Sequence, residues 1–135
     1  TPPIAIPGKS RLAMNFADRY TYNFEDRVLP LAIEQNAGVA AMKVFGGAPE
    51  MNYEKPTQSI LAATGSYDHE LALRYALSLT GVTLAVVGMY GQDELRKNVD
   101  WARNFQPLSL QDKALLDDSG VEVAKKWGTR FGPVE

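Results

Sequence analysis

The segment Asp68–Asn98 constrains the fold most, because it reads as a helix, a tight turn, an apolar strand and a second helix. Asp68 is a good N-cap residue, and Gly81 is a residue type that often ends a helix. Thr83–Val87 is short, rich in β-branched residues and almost wholly apolar, which is typical of a parallel strand covered on both faces. A strand of this type between helices predicts an α/β fold with parallel strands and flanking helices.

Two further segments resemble strands, and one resembles a helix. Val39–Val44 is apolar except for Lys43, and Leu12–Phe16 is a weaker strand candidate. Phe24–Asn36 has helical spacing, but Pro30 fits a helix only in its first turn. We therefore expect a helix over Phe24–Asn36, in which Pro30 is awkward unless the helix begins late enough to place it in the first turn.

The segment Pro107–Lys126 predicts the last helix. Ser109 and Asp112 have the spacing of a capping box, which satisfies backbone N–H groups at a helix start. Its apolar residues predict a packing face, interrupted at Gly120, that consists of Leu110, Ala114, Leu115 and Val121.

The composition excludes several classes of protein. The chain has 135 residues, which is enough for one domain with a real core. It has no cysteine, so disulfides, thiolate metal sites and iron–sulfur clusters are excluded. A net charge of −2 with interspersed signs argues against nucleic acid or an anionic membrane as partner. With no signal peptide and no apolar run of about 20 residues, we expect a soluble, cytoplasmic protein.

Several motifs, taken in order, are similar to one enzyme family. ALRYALSLTGVTLAVVGM with ELRKNVDWAR resembles the last helix–strand–helix segment of the aldo/keto reductases. GVAAMKVFGG, Gly38–Gly47, resembles their seventh barrel strand and the loop after it. PLSLQDKALLDD and WGTRFG resemble their C-terminal tail. The match runs from about Leu12 to Gly132 and implies NAD(P)H-dependent carbonyl reduction.

The resemblance implies the C-terminal half of a TIM-type (β/α)8 barrel, because a complete barrel needs about 250 residues. Residues 11–135 would form this half barrel. Residues 1–10 contain three prolines and have no family counterpart, so we expect an extended arm or a segment foreign to the family.

The resemblance also implies a cofactor site after the second strand. Met42 matches the residue that lies against the nicotinamide, although a buried strand methionine is commonly simple core. Lys43 is suited to bind phosphate as a point charge, or else marks the solvent end of the strand. The predicted phosphate loop is Phe45, Gly46 and Gly47, where glycine permits close backbone approach.

The second half of the implied cofactor site follows the last strand. Gly88, Met89 and Asn98 match the loop and helix that hold the adenosine end, where helix N–H groups favour phosphate. The family often has basic residues at the positions of Gly88 and Glu94, and neither is basic here, so the choice between NAD and NADP stays open. The alternative for Asn98 is an ordinary surface residue.

The first candidate strand supplies one more predicted cofactor contact. Asn15 matches an asparagine that often ends the family's sixth barrel strand, and its alternative is a polar cap at a strand end. Arg11 stands where the family commonly has a glutamine that stacks near the nicotinamide amide.

No catalytic residue and no metal site is predicted. The aldo/keto reductases use an Asp, a Tyr, a Lys and a His from the first half of their barrel, and this chain matches only the second half. The lone His69 lies beside a helix start, and Tyr22 lies in a loop without a basic partner. We therefore expect the isolated chain to be inactive.

A half barrel has open strand edges and an apolar face in water. We therefore expect a homo-oligomer or a complex with the missing N-terminal half, and a carbonyl substrate only for the completed barrel. The alternative function is a non-catalytic, self-associating domain derived from the same family, and a third hypothesis is an unrelated α/β binding domain.

Overall fold

A computed structural model of the protein describes residues 9–48, 54–64 and 68–134. The described chain forms a three-stranded parallel sheet in the order β1–β2–β3. The strands are β1 (Lys9–Ala13), β2 (Gly38–Met42) and β3 (Val82–Ala85). The predicted α/β class with parallel strands and flanking helices is confirmed.

Helices connect and follow the strands. They are α1 (Phe24–Arg27), α2 (Leu29–Glu34), α3 (His69–Ser78), α4 (Gln92–Arg103) and α5 (Leu110–Trp127), with 3₁₀ turns at Asp18–Tyr20 and Ala62–Thr64. Among the described residues, no helix is long and apolar enough to cross a membrane.

The strands are parallel and neighbours in chain order, so their carboxyl ends lie along one edge of the sheet. β1 and β2 pair from Lys9 opposite Gly38 to Ala13 opposite Met42. Lys9 and Ser10 thus belong to the sheet, whereas the rest of the proposed arm, residues 1–8, lies outside the described residues.

The expectation that both faces of the third strand are covered is wrong. Val82 and Ala85 pack with the cluster that contains Leu73 of α3. Leu84 and Val86, which point the other way, are each 49% exposed. Within the described ranges, helices therefore bury only one face of β3.

The predicted helix Phe24–Asn36 is divided in two. The chain leaves α1 at Val28 and re-enters a helix at Leu29, so that Pro30 lies in the first turn of α2. A proline there lacks only an N–H that would have no partner inside the helix. Pro30 therefore lies in a first turn, as its fit to a helix requires, but the helical segment still begins at Phe24 and is interrupted at Val28.

The capping box of α5 is confirmed, but its predicted packing face is wrong. The Ser109 hydroxyl accepts a hydrogen bond from the Asp112 N–H, and the Asp112 carboxylate accepts one from the Ser109 N–H. Leu110, Leu115 and Val121 are 85%, 60% and 44% exposed. The buried residues are Leu116, Gly120, Val123, Ala124 and Trp127.

Gly120, which interrupts the predicted face, lies at the centre of the real one. A Cβ atom there would overlap the ring of Tyr20 and come within 3.5 Å of the Phe16 carbonyl oxygen. The missing side chain therefore allows α5 to approach the loop after β1.

We predict that Gly120→Ala destabilises the protein by about 1–2 kcal/mol, because the overlap with Tyr20 outweighs the better helix propensity of alanine. Urea unfolding should show the loss, and Asp118→Ala, at an exposed position of α5, should not. A more stable Gly120→Ala variant would contradict the close contact.

Candidate functional site

A cleft with a volume of about 450 Å³ lies at the carboxyl ends of β2 and β3. We call it the sheet-edge cleft. In parallel α/β sheets, ligands bind at this edge. Six of the nine predicted cofactor-contact residues line it: Met42, Lys43, Phe45, Gly47, Gly88 and Met89.

The wall after β2 is a tight turn that we call the glycine turn, residues 43–48. Lys43, Gly46 and Gly47 have positive φ angles of 53°, 81° and 87°. The Gly46 N–H donates to the Lys43 carbonyl at 2.8 Å. A Cβ on Gly46 would lie 2.5 Å from Cγ of Leu61, so both its backbone angle and its packing require glycine.

A second segment holds the glycine turn in place. The Ile60 N–H donates to the Gly47 carbonyl at 2.7 Å, and the Leu61 N–H donates to the Phe45 carbonyl at 3.3 Å. These bonds connect the loop before α3 to the turn after β2. Two backbone segments, neither of them a β-strand, therefore support this wall of the sheet-edge cleft.

Asn15 holds the glycine turn through a hydrogen bond to its first residue, Lys43. It is not among the residues that line the cleft. Its side chain is buried, donates to the Lys43 carbonyl at 2.9 Å and accepts from the Asp18 N–H at 2.8 Å. The amide therefore joins the ends of β1 and β2, and direct contact with a cofactor stays a prediction.

Asn98 also lies outside the cleft lining. It is 8% exposed within α4, so the alternative of an ordinary surface residue is wrong. Its Oδ1 has no hydrogen-bond partner among the described residues.

The electrostatics of the cleft are balanced. Among the described lining residues, Lys43 is the cation and Glu94 the carboxylate. Oε2 of Glu94 accepts from the Tyr90 N–H at 2.7 Å, and the Tyr90 hydroxyl donates to the Glu54 carbonyl at 2.8 Å. Glu94 thus orders the loop before α4, but it opposes any anion that Lys43 attracts.

His69 lies behind the cleft wall, which the sequence did not indicate. Its ring makes an edge contact with Phe45, with 4.8 Å between centroids, and its Nε2 lies 3.4 Å from the Ser59 hydroxyl. Burial lowers the pKa of His69. No local pattern predicts this contact, because the tertiary fold brings α3 to the end of β2.

A second cavity, of about 510 Å³, lies among the helices and contains none of the predicted site residues. Inside it the Tyr75 hydroxyl donates to the Glu25 carboxylate, and Nε of Arg19 lies 3.5 Å from that carboxylate. Burial raises the pKa of both Tyr75 and Glu25.

Over the described ranges, no acidic, histidine or cysteine cluster is suited to hold a metal ion.

A buried carboxylate lies in the loop that carries Asn15. Oδ2 of Asp18 accepts from the Phe24 N–H at 3.0 Å, and Oδ1 has no partner in the described chain. Burial raises the pKa of Asp18 from 3.8 to about 6. The charged form is therefore costly in the folded state.

The comparisons with known proteins add no relative. No protein-family model, no curated protein and no solved structure matches this chain. The sequence motifs and the geometry of the cleft therefore carry the functional argument.

We predict that Asp18 makes folding pH-dependent. Its pKa is higher in the folded state, so its stabilising contribution is complete below about pH 4 and lost as the pH rises through about 6. The full loss is at most about 3 kcal/mol, from 1.36 kcal/mol per pKa unit. Asp18→Asn, which keeps an acceptor for Phe24, should gain stability over the wild type across this range.

Urea unfolding at several pH values would measure this difference. Asp100→Asn, at an exposed position of α4, is the control for removal of one negative charge. A stability difference between Asp18→Asn and the wild type that does not change from pH 4 to pH 7 would contradict the raised pKa.

Proposed function

We propose that this chain is the cofactor-binding, C-terminal part of an aldo/keto reductase-type oxidoreductase and that it holds NAD(P)H in the sheet-edge cleft. One observation carries the proposal: residues assigned to the cofactor from two separate motifs line a single cleft, namely Met42, Lys43, Phe45 and Gly47 with Gly88 and Met89, while Gly46 lies outside the lining. The motifs are far apart in sequence, and the parallel pairing of β2 with β3 brings the loops that follow them to one edge of the sheet.

The topology is compatible with the finer assignment to a half barrel. In a (β/α)8 barrel, successive parallel strands lie side by side in chain order, with helices between them. β1, β2 and β3 have this order and direction. The exposed face of β3 would then face the interior of the completed barrel.

The residues of the cleft fit part of a dinucleotide. Its volume of about 450 Å³ lies within the usual range of about 300–1,000 Å³ for ligand pockets. The glycine turn allows close approach of backbone to phosphate, Lys43 supplies positive charge, and Met42 offers an apolar surface to a nicotinamide ring.

In this proposal the bound nicotinamide supplies hydride, and this chain binds and orients the cofactor. The proton that the carbonyl oxygen needs comes from the family's Asp, Tyr, Lys and His set, to which no residue here is assigned. Tyr75 and His69 lie outside the cleft lining and are given no such role.

We predict that the chain binds NADPH or NADH with micromolar affinity by isothermal titration calorimetry. Lys43→Met should weaken binding about ten- to hundred-fold, because a charged contact contributes about 1.5–3 kcal/mol. Glu94→Gln, which keeps an acceptor for the Tyr90 N–H, should strengthen binding a few-fold by removing repulsion.

The opposite signs of these two effects are the decisive result. Equal shifts in both variants would point to a general change of the fold, and no binding at millimolar cofactor would contradict the proposed function. The ratio of the NADPH and NADH affinities would settle the preference that Gly88 and Glu94 leave open.

The alternative, a self-associating domain without catalysis, is favoured by one observation. Leu84 on β3 and Val86 directly after it expose apolar surface next to a strand edge that no described strand covers. Apolar surface beside an open edge is suited to a second chain.

We predict that the purified chain self-associates through this face. Leu84→Lys should reduce the mass measured by light scattering after size exclusion, because a charge would be buried in the contact. Leu110→Lys is the matched control, since Leu110 is an exposed leucine on α5. A wild-type chain that stays monomeric at high concentration would contradict this.

A further inference from the structure

The end of α5 makes a direct contact with the glycine turn. The indole N–H of Trp127 donates to the Gly46 carbonyl at 3.2 Å, across 81 residues of sequence. Trp127 is 1% exposed and belongs to the same core cluster as Leu61, the residue that fills the space beside Gly46. A buried hydrogen bond of this kind fixes the direction of the carbonyl group.

The direction of this carbonyl determines where the next N–H points. The Gly46–Gly47 peptide is trans, so its C=O and N–H groups point in opposite directions. The carbonyl points to Trp127 in the core, and the Gly47 N–H therefore points away from the core. Gly47 lines the sheet-edge cleft, where an N–H donor can bind an anion.

Trp127 itself is held by its neighbours. The rings of Tyr22 and Phe131 lie 6.3 Å and 5.8 Å from the Trp127 ring, both in edge contact. The Tyr22 hydroxyl accepts from the Phe131 N–H at 2.8 Å and donates to the Gly132 carbonyl at 2.7 Å. The chain after α5 is thus tied to the loop after β1, and the indole has little freedom to turn.

We propose that Trp127 is a positioning residue for the sheet-edge cleft: by holding the Gly46 carbonyl, it presents the Gly47 N–H to a phosphate of the cofactor. This inference rests on the proposed function for the identity of the ligand. The orientation of the turn can be tested without any ligand.

The first experiment uses the ligand-free wild-type chain. NMR exchange of the two indole protons should show Trp127 strongly protected and Trp101 exchanging much faster, because Trp101 is half-buried and no described acceptor receives its N–H. An indole proton of Trp127 that exchanges as fast as that of Trp101 would overturn the proposal. This test does not depend on a variant that folds.

The second experiment compares Trp127→Phe with Val123→Ala. Both remove apolar atoms from the buried face of α5, but only the first removes the donor to Gly46. Trp127→Phe should speed amide exchange of Ile60 and Leu61, which donate to the turn, and weaken NADPH binding about ten-fold, as expected for one buried acceptor left unsatisfied. Val123→Ala should lower stability and leave both unchanged.

The outcomes separate the two proposals. Equal exchange and affinity changes in the two variants would overturn the positioning role, since the contribution of Trp127 would then be to stability alone. A wild-type chain that binds no NADPH would overturn the proposed function and the phosphate ligand, and the exchange data would still decide whether Trp127 orders the turn.

Discussion

The packing of α5 against the loops that follow β1 and β2 is the interaction on which the rest of the structure depends. Gly120 lets Tyr20 approach the helix, and Trp127 reaches the carbonyl of Gly46. The capping box at Ser109 stabilises the start of the same helix. Both loops lie at the carboxyl edge of the sheet. The contacts of α5 therefore hold in place the loops next to which the cleft is formed.

The cleft that results is built mainly from backbone and apolar surface. Its one described cation, Lys43, is opposed by Glu94, so charge alone gives a phosphate little attraction. The direction of backbone N–H groups therefore matters more here than in a strongly basic site, since oriented donors attract anions without added charge. This links the proposed cofactor role to Trp127, which acts on the Gly46–Gly47 peptide from the core side.

The sequence predicted which loops lie together at the cleft, while their binding role stays a prediction. The family resemblance predicts one site for Met42, Lys43 and Gly47, at the end of an apolar strand, and all three line the sheet-edge cleft. The positions of Asn15, Asn98 and His69 relative to the cleft did not follow, because each depends on which elements pack together. The prediction of the packing face of α5 was wrong for a related reason. Hydrophobic spacing does not detect a contact that is made by a glycine, here Gly120.

The sequence by itself determined several local elements: the apolar strands β2 and β3, the N-cap at Asp68, the capping box at Ser109 and the helix start near Pro30. These depend on residues a few positions apart, whose backbone preferences and hydrogen bonds are local. The first strand was predicted at Leu12–Phe16 and instead spans Lys9–Ala13, where backbone pairing with β2 outweighs the polar side chains. Only the tertiary structure decided which face of β3 is covered and that Trp127 meets Gly46. Those contacts join residues distant in the chain, and the shape complementarity that selects them exists only after the helices and the sheet have packed.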